Sequence, residues 1–173
     1  AMDFDEDYLE NSTLPASATS TVFCVHRGLS DGSSVSLLGF PANTAQIGLY
    51  YWGSVTNRYF GFNTWASDSW GYANAETEFD SHALWTALFK EGDIKSNGVK
   101  LFYNSTEKSL SQVRNVSQNR VLTDGFYLGR GATVGGAQEA NGKYQEIIIY
   151  DSDQSDNRTF IENHINSFYK IYP

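Results

Sequence analysis

Short runs of β-branched and aromatic residues, separated by turn-forming residues, recur along almost the whole chain. Val, Ile, Thr, Tyr and Phe favour extended strands, whereas Gly, Asn, Asp and Ser favour turns, so this rhythm is typical of an all-β sandwich. In 84–89 and 147–150 both alternating sets of side chains are largely apolar, which indicates central strands that are covered on both faces. The predicted strands are residues 4–10, 21–27, 35–40, 46–52, 58–63, 84–90, 99–104, 110–115, 125–130 and 143–150.

The period changes near the C-terminus, where apolar residues recur at intervals of four, three and four and so form one face of a helix. They are Ile161, Ile165, Phe168 and Tyr172. Ser155 is a candidate N-cap, Asp156 places a negative charge in the first turn, and Lys170 suits the last turn. We expect this helix to lie on the sandwich as a lid. We expect one domain over residues 1–173, of which residues 1–2 are a pair that an expression vector can add.

Composition excludes several classes of partner. The 173 residues carry 12 basic and 20 acidic side chains, a net charge of -8, and the basic residues form no cluster along the sequence. This charge opposes the phosphates of nucleic acid, so we expect no nucleic-acid partner. No run approaches the ~20 apolar residues that span a bilayer, so we expect no membrane insertion. The single Cys24 excludes an internal disulfide and disfavours a cysteine metal site.

Three segments have distinctive strand and turn patterns. Residues 3–10 (DFDEDYLE) form an acidic opening strand. Residues 101–104 (LFYN) form a late strand in which Ser105 replaces the Gly of an Asn-Gly turn. Residues 142–151 (GKYQEIIIYD), followed by Arg158 and the predicted helix, form a final strand and a closing helix. Together they resemble the laminin-G-like jelly-roll domains, of bacterial and phage type, in the concanavalin A-like lectin and glucanase superfamily. In that family a Gly usually precedes the acidic pair of the opening strand, and here that Gly is missing.

The resemblance spans almost the whole chain and implies a jelly-roll β-sandwich of two antiparallel sheets with one short C-terminal helix. The family includes carbohydrate-binding lectins, protein-binding modules, glucanases and domains of phage tail fibres and adhesins. It therefore implies an extracellular, cell-surface or virion location, other domains of a larger parent protein as partners, and a homotrimer where the parent is a fibre. The fold does not fix the function, because packing or turns explain each of these motifs.

The strongest binding signal is the segment 65–72 (WASDSWGY), which is too polar for a core strand and too aromatic for an ordinary loop. Aromatic rings stack on the apolar C–H faces of sugars, while Asp and Arg bond to sugar hydroxyls. We therefore predict a lectin-like site for a glycan or cell-surface polysaccharide. Its candidate residues are Trp52, Arg58, Tyr59, Trp65, Asp68, Trp70 and Tyr72. The alternative is that Trp65 and Trp70 plug one end of the sandwich.

Many laminin-G-like domains bind calcium at a loop rim through Asp side chains, main-chain carbonyls and water, so the resemblance implies Ca2+ as a candidate cofactor. Asp68 is the candidate metal ligand within the aromatic segment, and Asp80 and Asp124 are further candidates. No spacing of acidic residues resembles an EF-hand loop. Asp151 and Asp153 precede the predicted helix and are interpreted as a turn with a helix cap.

An enzymatic role in glycoside hydrolysis would need two carboxylates placed across the glycosidic bond. Asp3, Asp5 and Asp7 alternate along one strand, but they lie in the first, edge strand. Glu146 and Asp151 are an odd number of residues apart and so point to opposite faces. We therefore expect binding without catalysis. The alternatives are a structural or protein-interaction domain of a fibre or virion that binds no sugar and, third, a glycoside hydrolase.

Overall fold

The structure, a computed structural model, describes residues 2–4, 9–11, 17–28, 35–40, 47–54, 57–63, 68–73, 76–92, 98–115, 125–129 and 142–173. Two antiparallel sheets pack face to face around a shared core, and a helix lies against the outer face of one of them. This arrangement confirms the predicted jelly-roll β-sandwich with a short C-terminal helix.

The first sheet contains β1 (Met2–Phe4), β3 (Thr19–Gly28), β8 (Ala83–Lys90), β9 (Lys100–Tyr103), β10 (Thr106–Glu107) and β13 (Gly142–Tyr150), in the order β1-β13-β3-β8-β9-β10. The second sheet contains β2 (Leu9–Asn11), β4 (Val35–Phe40), β5 (Ile47–Ser54), β6 (Asn57–Asn63), β7 (Asp68–Ala73), β11 (Ser111–Asn115) and β12 (Phe126–Leu128), in the order β11-β7-β6-β5-β4-β12-β2. The helices are α1 (Glu76–Phe79) and α2 (Arg158–Tyr169). Within the described ranges, neither helix is long and apolar enough to cross a membrane.

Two sequence predictions about strands are wrong. The predicted opening strand 4–10 is divided, because β1 pairs with β13 in the first sheet whereas β2 pairs with β12 in the second. The segment 65–72 is absent from the predicted strands, but residues 68–72 belong to β7, which pairs with β6 on one side and β11 on the other. Gly71 lies directly opposite Gly61, where a Cβ on Gly61 would stand 2.4 Å from the Trp70 carbonyl oxygen. Glycine at this crossing therefore lets a polar, aromatic strand pack closely against its neighbour.

The core lies between the sheets, and the alternation of side chains along each strand fills it. On β3, Cys24 faces this core, whereas Phe23 and Val25 face α2. Every residue of 83–89 on β8 is buried. Residues 147–150 on β13 are half-buried and alternate between the core and the helix side. Both predicted central strands are thus confirmed as covered on two faces.

The C-terminal helix is confirmed, and Ile161 and Ile165 of the predicted face pack against the sheet, but the packed face is turned away from Phe168. At about 100° per residue, the packed face is turned by roughly 50° from the predicted stripe. Glu162 and Ile165 are buried, whereas Phe168 is 79% exposed. Tyr172 lies beyond the end of the helix and packs from the C-terminal tail. The helix is turned in this way because the Glu162 carboxylate, and not the Phe168 ring, finds its partners on the sheet.

The helix also begins later than predicted. Its N-cap is Asn157 and its first residue is Arg158, so the prediction of Ser155 as N-cap is wrong. The Asp153 carboxylate accepts hydrogen bonds from the Ser155 backbone N–H (2.9 Å) and hydroxyl (2.5 Å). These bonds form the predicted turn at Asp153 and hold the Ser155 hydroxyl away from the helix. Lys170, at φ 55°, is the left-handed C-cap.

A buried carboxylate fastens α2 to the first sheet. Glu162 Oε1 accepts a hydrogen bond from the Thr86 hydroxyl (2.7 Å), and Glu162 Oε2 accepts one from the Ser105 hydroxyl (2.9 Å). The Arg158 guanidinium also donates to Glu162 Oε2. The Tyr172 hydroxyl lies 2.8 Å from the Ser105 hydroxyl and donates to it, because the Ser105 proton is directed at Glu162. The Glu162 carboxylate and its partners therefore join β8, the turn at Ser105, α2 and the C-terminal tail.

The same cluster supports the tight turn between β9 and β10. Asn104 and Ser105 both have positive φ, 46° and 67°, and Tyr103 pairs directly with Thr106. A two-residue turn of the primed type thus forms although Ser105 replaces the Gly that this turn favours. Left-handed backbone is unfavourable for Ser. The bond from Ser105 to Glu162 helps to hold it in that conformation.

We predict that Glu162→Gln lowers the free energy of unfolding by about 2–4 kcal/mol. The variant keeps the shape of the side chain but leaves the Arg158 guanidinium without its carboxylate. Urea unfolding followed by circular dichroism measures the change. The control, Glu107→Gln, removes a carboxylate that is 55% exposed and should alter stability by less than about 0.5 kcal/mol. Equal effects of the two substitutions would contradict the anchoring role of Glu162.

His26 is a second buried polar group, and within the described ranges neither of its ring nitrogens has a hydrogen-bond partner. Its ring packs on Tyr144 and Phe79, with centroid distances of 4.5 and 5.5 Å. Burial lowers the pKa of His26 from 6.5 to about 3, because an imidazolium loses its hydration in this core. The folded domain therefore holds His26 neutral.

We predict that this histidine makes the domain less stable in acid. Its pKa is lower in the folded state than in the unfolded chain, so its full contribution is present above about pH 6.5 and is lost as the pH falls towards 3. Between pH 7.5 and pH 4 the loss should reach about 3 kcal/mol. Urea unfolding of wild type and His26→Leu at both pH values measures it as a change in their stability difference. A difference that is the same at both pH values would exclude this contribution.

Candidate functional site

A groove of about 350 Å³ lies where the free edges of the two sheets meet, beside β7, β9 and β10. The chain leaves β10, an edge strand of the first sheet, and enters β11, an edge strand of the second. We call this concavity the edge groove. Its lining residues are Trp70, Val99, Lys100, Glu107, Lys108, Ser109 and Leu110.

Trp70 provides the aromatic wall of the edge groove. On β7 it lies directly opposite Phe62 of β6, which is completely buried, so both residues are on the core side of the second sheet. Trp70 is nevertheless only half-buried, because β7 lies next to the edge strand β11 and the cover of the first sheet ends at β10. Part of the indole packs on the core and part remains accessible at the groove.

The rim of the groove is polar and carries both signs of charge. Lys100 Nζ lies 3.8 Å from Glu107 Oε1, and their side chains are 47% and 55% exposed. An exposed ion pair of this length contributes little to stability, so both groups can exchange partners with a ligand. Ser109 adds an exposed hydroxyl-bearing residue. The groove therefore combines one aromatic surface with an ammonium, a carboxylate and a hydroxyl.

A hydrogen-bonded cluster behind the rim holds Lys108 in place. The Tyr72 hydroxyl donates to Glu78 Oε2 (2.6 Å), and the Lys108 ammonium donates to Glu78 Oε1 (2.5 Å). The ammonium also lies 4.9 and 5.0 Å from the centroids of Tyr72 and Tyr103, within cation–π range. Burial, and then the Glu78 carboxylate, raise the pKa of Tyr72, which stays protonated. Tyr72 thus supports the groove wall from behind.

We predict that Glu78→Gln lowers the free energy of unfolding by about 1–3 kcal/mol, because the partly buried Lys108 ammonium loses its counter-charge. Tyr72→Phe removes one neutral donor and leaves the ion pair intact, so it should cost about 1 kcal/mol. Urea unfolding of both variants gives the comparison. A larger loss for Tyr72→Phe than for Glu78→Gln would show that the ion pair is not the main contact of this cluster.

The structure brings together only part of the predicted binding site. Trp70 and Tyr72 share one face of β7 and lie beside the edge groove. Tyr59 lies on the other face, because it is adjacent to Phe60, which points into the core. The remaining candidates are placed by backbone alone or not at all: Trp52 pairs with Tyr59, Arg58 pairs with Gly53, Asp68 begins β7, and Trp65 lies outside the described residues.

Five residues that line the groove were not predicted from the sequence. They are Lys100, Glu107, Lys108, Ser109 and Leu110. They belong to the β9–β10 hairpin and to the segment that follows it, whereas Trp70 belongs to β7. The local sequence does not indicate that Trp70 lies beside this hairpin, because their proximity depends on how the edges of two separate sheets align. The polar run Thr106, Glu107 and Lys108 indicates only an exposed segment.

A metal ion is held by several ligand side chains grouped in one place. Among the described residues, no three His, Cys, Asp or Glu side chains are grouped so as to hold a metal ion. The Asp153 carboxylate is engaged by Ser155 and lies 3.2 Å from the Lys90 ammonium. The side chain of Asp68 and the whole of Asp124 lie outside the described part of the chain. Calcium binding at Asp68 therefore stays a prediction.

Comparison with solved structures supports the architecture. NanB sialidase from Streptococcus pneumoniae matches with a TM-score of 0.56 and 14% identity over 91% of this chain and 26% of its own. Mouse laminin α1 domains LG4-5 match with a TM-score of 0.54 and 12% identity, over 88% of this chain and 43% of the laminin chain. The receptor-binding domain of botulinum neurotoxin D matches with a TM-score of 0.57 and 10% identity, over 94% of this chain and 43% of the toxin chain. The fold is what they share.

This chain therefore spans between a quarter and a half of the length of those three solved chains. The presence of laminin LG domains among them agrees with the laminin-G-like resemblance at the level of fold. No protein-family model matches the sequence, and no curated protein sequence does.

Proposed function

We propose that this domain is a non-catalytic, lectin-like module that binds a glycan in the edge groove. The observation that carries the proposal is the half-buried Trp70 in a groove of about 350 Å³ with Lys100, Glu107 and Ser109 on its rim. The volume is at the lower end of the usual range for small-ligand sites. An indole that is fixed by the core on one side and accessible on the other offers a rigid platform for a sugar ring.

Each part of the groove matches a part of a sugar. The apolar C–H face of the ring packs on the Trp70 indole, as carbohydrate faces do on aromatic rings. Sugar hydroxyls can donate to the Glu107 carboxylate and accept from the Lys100 ammonium. Lys108, held by Glu78, keeps the wall between them in place before the ligand arrives. A preformed wall lowers the ordering cost of binding.

The comparisons support a binding role without naming a ligand for this chain. One of the similar structures is described as a receptor-binding domain, another as a pair of laminin domains, and the third as a sialidase. In each, the matching part is a minority of a longer chain. We therefore propose that this module belongs to a larger extracellular, cell-surface or virion protein of adhesin or phage-fibre type. There its partners would be other domains and, in a fibre, two further copies.

Catalysis is not part of the proposal, because the described lining of the groove does not include the pair of acids that glycoside hydrolysis needs. Among its described lining residues the only carboxylate is that of Glu107. The nearby Glu78 carboxylate is occupied by Tyr72 and Lys108. A glycosidase would need a second acid about 5–9 Å from the first, across the glycosidic bond.

We predict that Trp70→Ala weakens glycan binding at least tenfold, because the sugar loses its stacking surface. A glycan array identifies ligands of the wild type, and calorimetry then gives Kd for the best of them. Phe168→Ala is the matched control, since it removes an aromatic ring that is 79% exposed on α2, away from the groove. Circular dichroism verifies that both variants are folded. Arrays with calcium and with a chelator test the predicted role of Asp68.

Two results would contradict the proposal. If Trp70→Ala binds as tightly as the wild type, the glycan does not lie in the edge groove. If the wild type binds no glycan on a broad array, the structural or protein-interaction role becomes the better account of this fold.

A further inference from the structure

Two charged side chains on the rim of the edge groove are brought together by the β9–β10 hairpin. Glu107 of β10 pairs directly with Phe102 of β9, and Lys100 lies two residues before Phe102 on the same strand. Residues two apart on a strand point to the same side of the sheet, so Lys100 and Glu107 are diagonal cross-strand neighbours. Their relative position is therefore set by the register of the hairpin, whose turn is held at Ser105 by Glu162.

The two side chains face each other across a gap. Lys100 Nζ and Glu107 Oε1 are 3.8 Å apart, which is about 1 Å longer than a charge-assisted hydrogen bond. Both side chains are half-exposed, and within the described ranges neither has another ion pair or hydrogen bond. An ammonium only donates and a carboxylate only accepts. The gap therefore has donors on one side and acceptors on the other that a ligand can use.

The length of this gap favours two hydroxyls over one. A single hydroxyl oxygen that bonded to both Lys100 and Glu107 at ordinary lengths would have an angle of about 85° between its two partners, well below the tetrahedral angle. Two hydroxyls on adjacent carbons of a sugar ring have oxygens about 3 Å apart, close to a hydrogen-bond length. One can accept from the Lys100 ammonium while the other donates to the Glu107 carboxylate, and this arrangement opens the angle at each oxygen.

The charges of the described lining are balanced. Lys100 faces Glu107, and Lys108 is bonded to Glu78 behind the rim. A sugar carboxylate that reached Lys100 would lie beside the Glu107 carboxylate, and like charges that close repel each other. The net charge of -8 adds to this repulsion. A neutral sugar meets neither opposition, so the charge of the groove favours uncharged rings.

Given the glycan site proposed above, on which this inference rests, we propose that the groove selects a neutral sugar through a vicinal diol, two hydroxyls on adjacent ring carbons. The diol bridges Lys100 and Glu107 while the apolar face of the same ring packs on Trp70, and all three residues line one groove. A sugar ring carries its hydroxyls on its edge, so a ring that lies on the indole can direct them to the rim. Lys100 and Glu107 therefore determine specificity, whereas Trp70 is a platform that many sugar rings can use.

The first test uses defined sugars and the wild-type domain. Methyl glycosides of glucose, galactose and mannose, each with its uronic acid counterpart, are titrated by nuclear magnetic resonance with the Trp70 indole N–H as reporter. We expect saturable shifts with millimolar Kd for at least one neutral glycoside, and at least fivefold weaker binding of its uronic acid form.

Deoxy forms of the tightest neutral glycoside test the diol. The 3-deoxy form should bind at least fivefold more weakly, because every adjacent pair among the hydroxyls at ring carbons 2, 3 and 4 includes the one at carbon 3. One of the 2-deoxy and 4-deoxy forms should lose as much affinity, and the other should not.

Variants then assign the hydroxyls to the pair. Lys100→Ala and Glu107→Ala should each weaken binding of the tightest glycoside at least fivefold, because one bond of the bridge is lost. The double variant Lys100→Glu with Glu107→Lys should recover Kd to within about threefold of wild type, because a hydroxyl both donates and accepts and so bridges the exchanged pair. The matched control, Asp151→Ala, removes an exposed carboxylate three strands from β9 and should leave Kd unchanged. Thermal unfolding verifies that all variants are folded.

Equal binding of the 3-deoxy and parent glycosides would overturn the diol bridge, and so would alanine variants of the pair that bind as tightly as Asp151→Ala. If Trp70→Ala still weakens binding in that case, the glycan site stands and only its specificity is assigned wrongly. Equal binding of the uronic acid form would overturn the selection of neutral sugars. The absence of a saturable shift with all three neutral glycosides would also overturn this inference, and the glycan array then decides the site itself.

Discussion

The buried Glu162 carboxylate is the contact on which the arrangement of this domain depends. It receives hydrogen bonds from Thr86 on β8, from Ser105 in the β9–β10 turn and from Arg158 at the start of α2. A buried charge is tolerated only where its partners are complete. Helix, sheet and turn must therefore take one relative position, because any sliding of α2 would leave this carboxylate unpaired. Apolar contacts between Ile165 and the sheet would not by themselves select that position.

This anchor extends to the edge groove through the β9–β10 hairpin. Ser105 forms the turn of the hairpin, and Glu107 lies two residues further on at the rim of the groove. Lys108 is then held from behind by Glu78, which belongs to α1 and bonds to Tyr72 of β7. The rim is consequently fixed at two points, one on each sheet. Such fixing is what a preformed ligand site on the edge of a sandwich requires, since edges lack the cover that stabilises central strands.

The sequence was sufficient for the fold and insufficient for the site, and the physical reason differs from element to element. Period and composition predicted β3, β8, β13 and α2, because each buries residues at its own regular spacing. On α2 the spacing correctly predicted Ile161 and Ile165 but wrongly added Phe168, because the polar partners of Glu162 on the sheet turn the helix away from that ring. Strand β7 was not predicted, because its Ser, Gly and aromatic residues suit a sheet only where Gly61 and Gly71 meet. The groove joins Trp70 to the β9–β10 hairpin, and that proximity exists only after both sheets have formed.

The net charge of the domain bears on which ligands enter the edge groove. The domain carries a net charge of -8, and electrostatic interactions are screened beyond about 8 Å at physiological ionic strength. An anionic ligand is therefore repelled by the domain once it comes within that distance. The edge groove balances Lys100 against Glu107 and binds through the indole of Trp70, so a neutral sugar ring enters it without an electrostatic penalty.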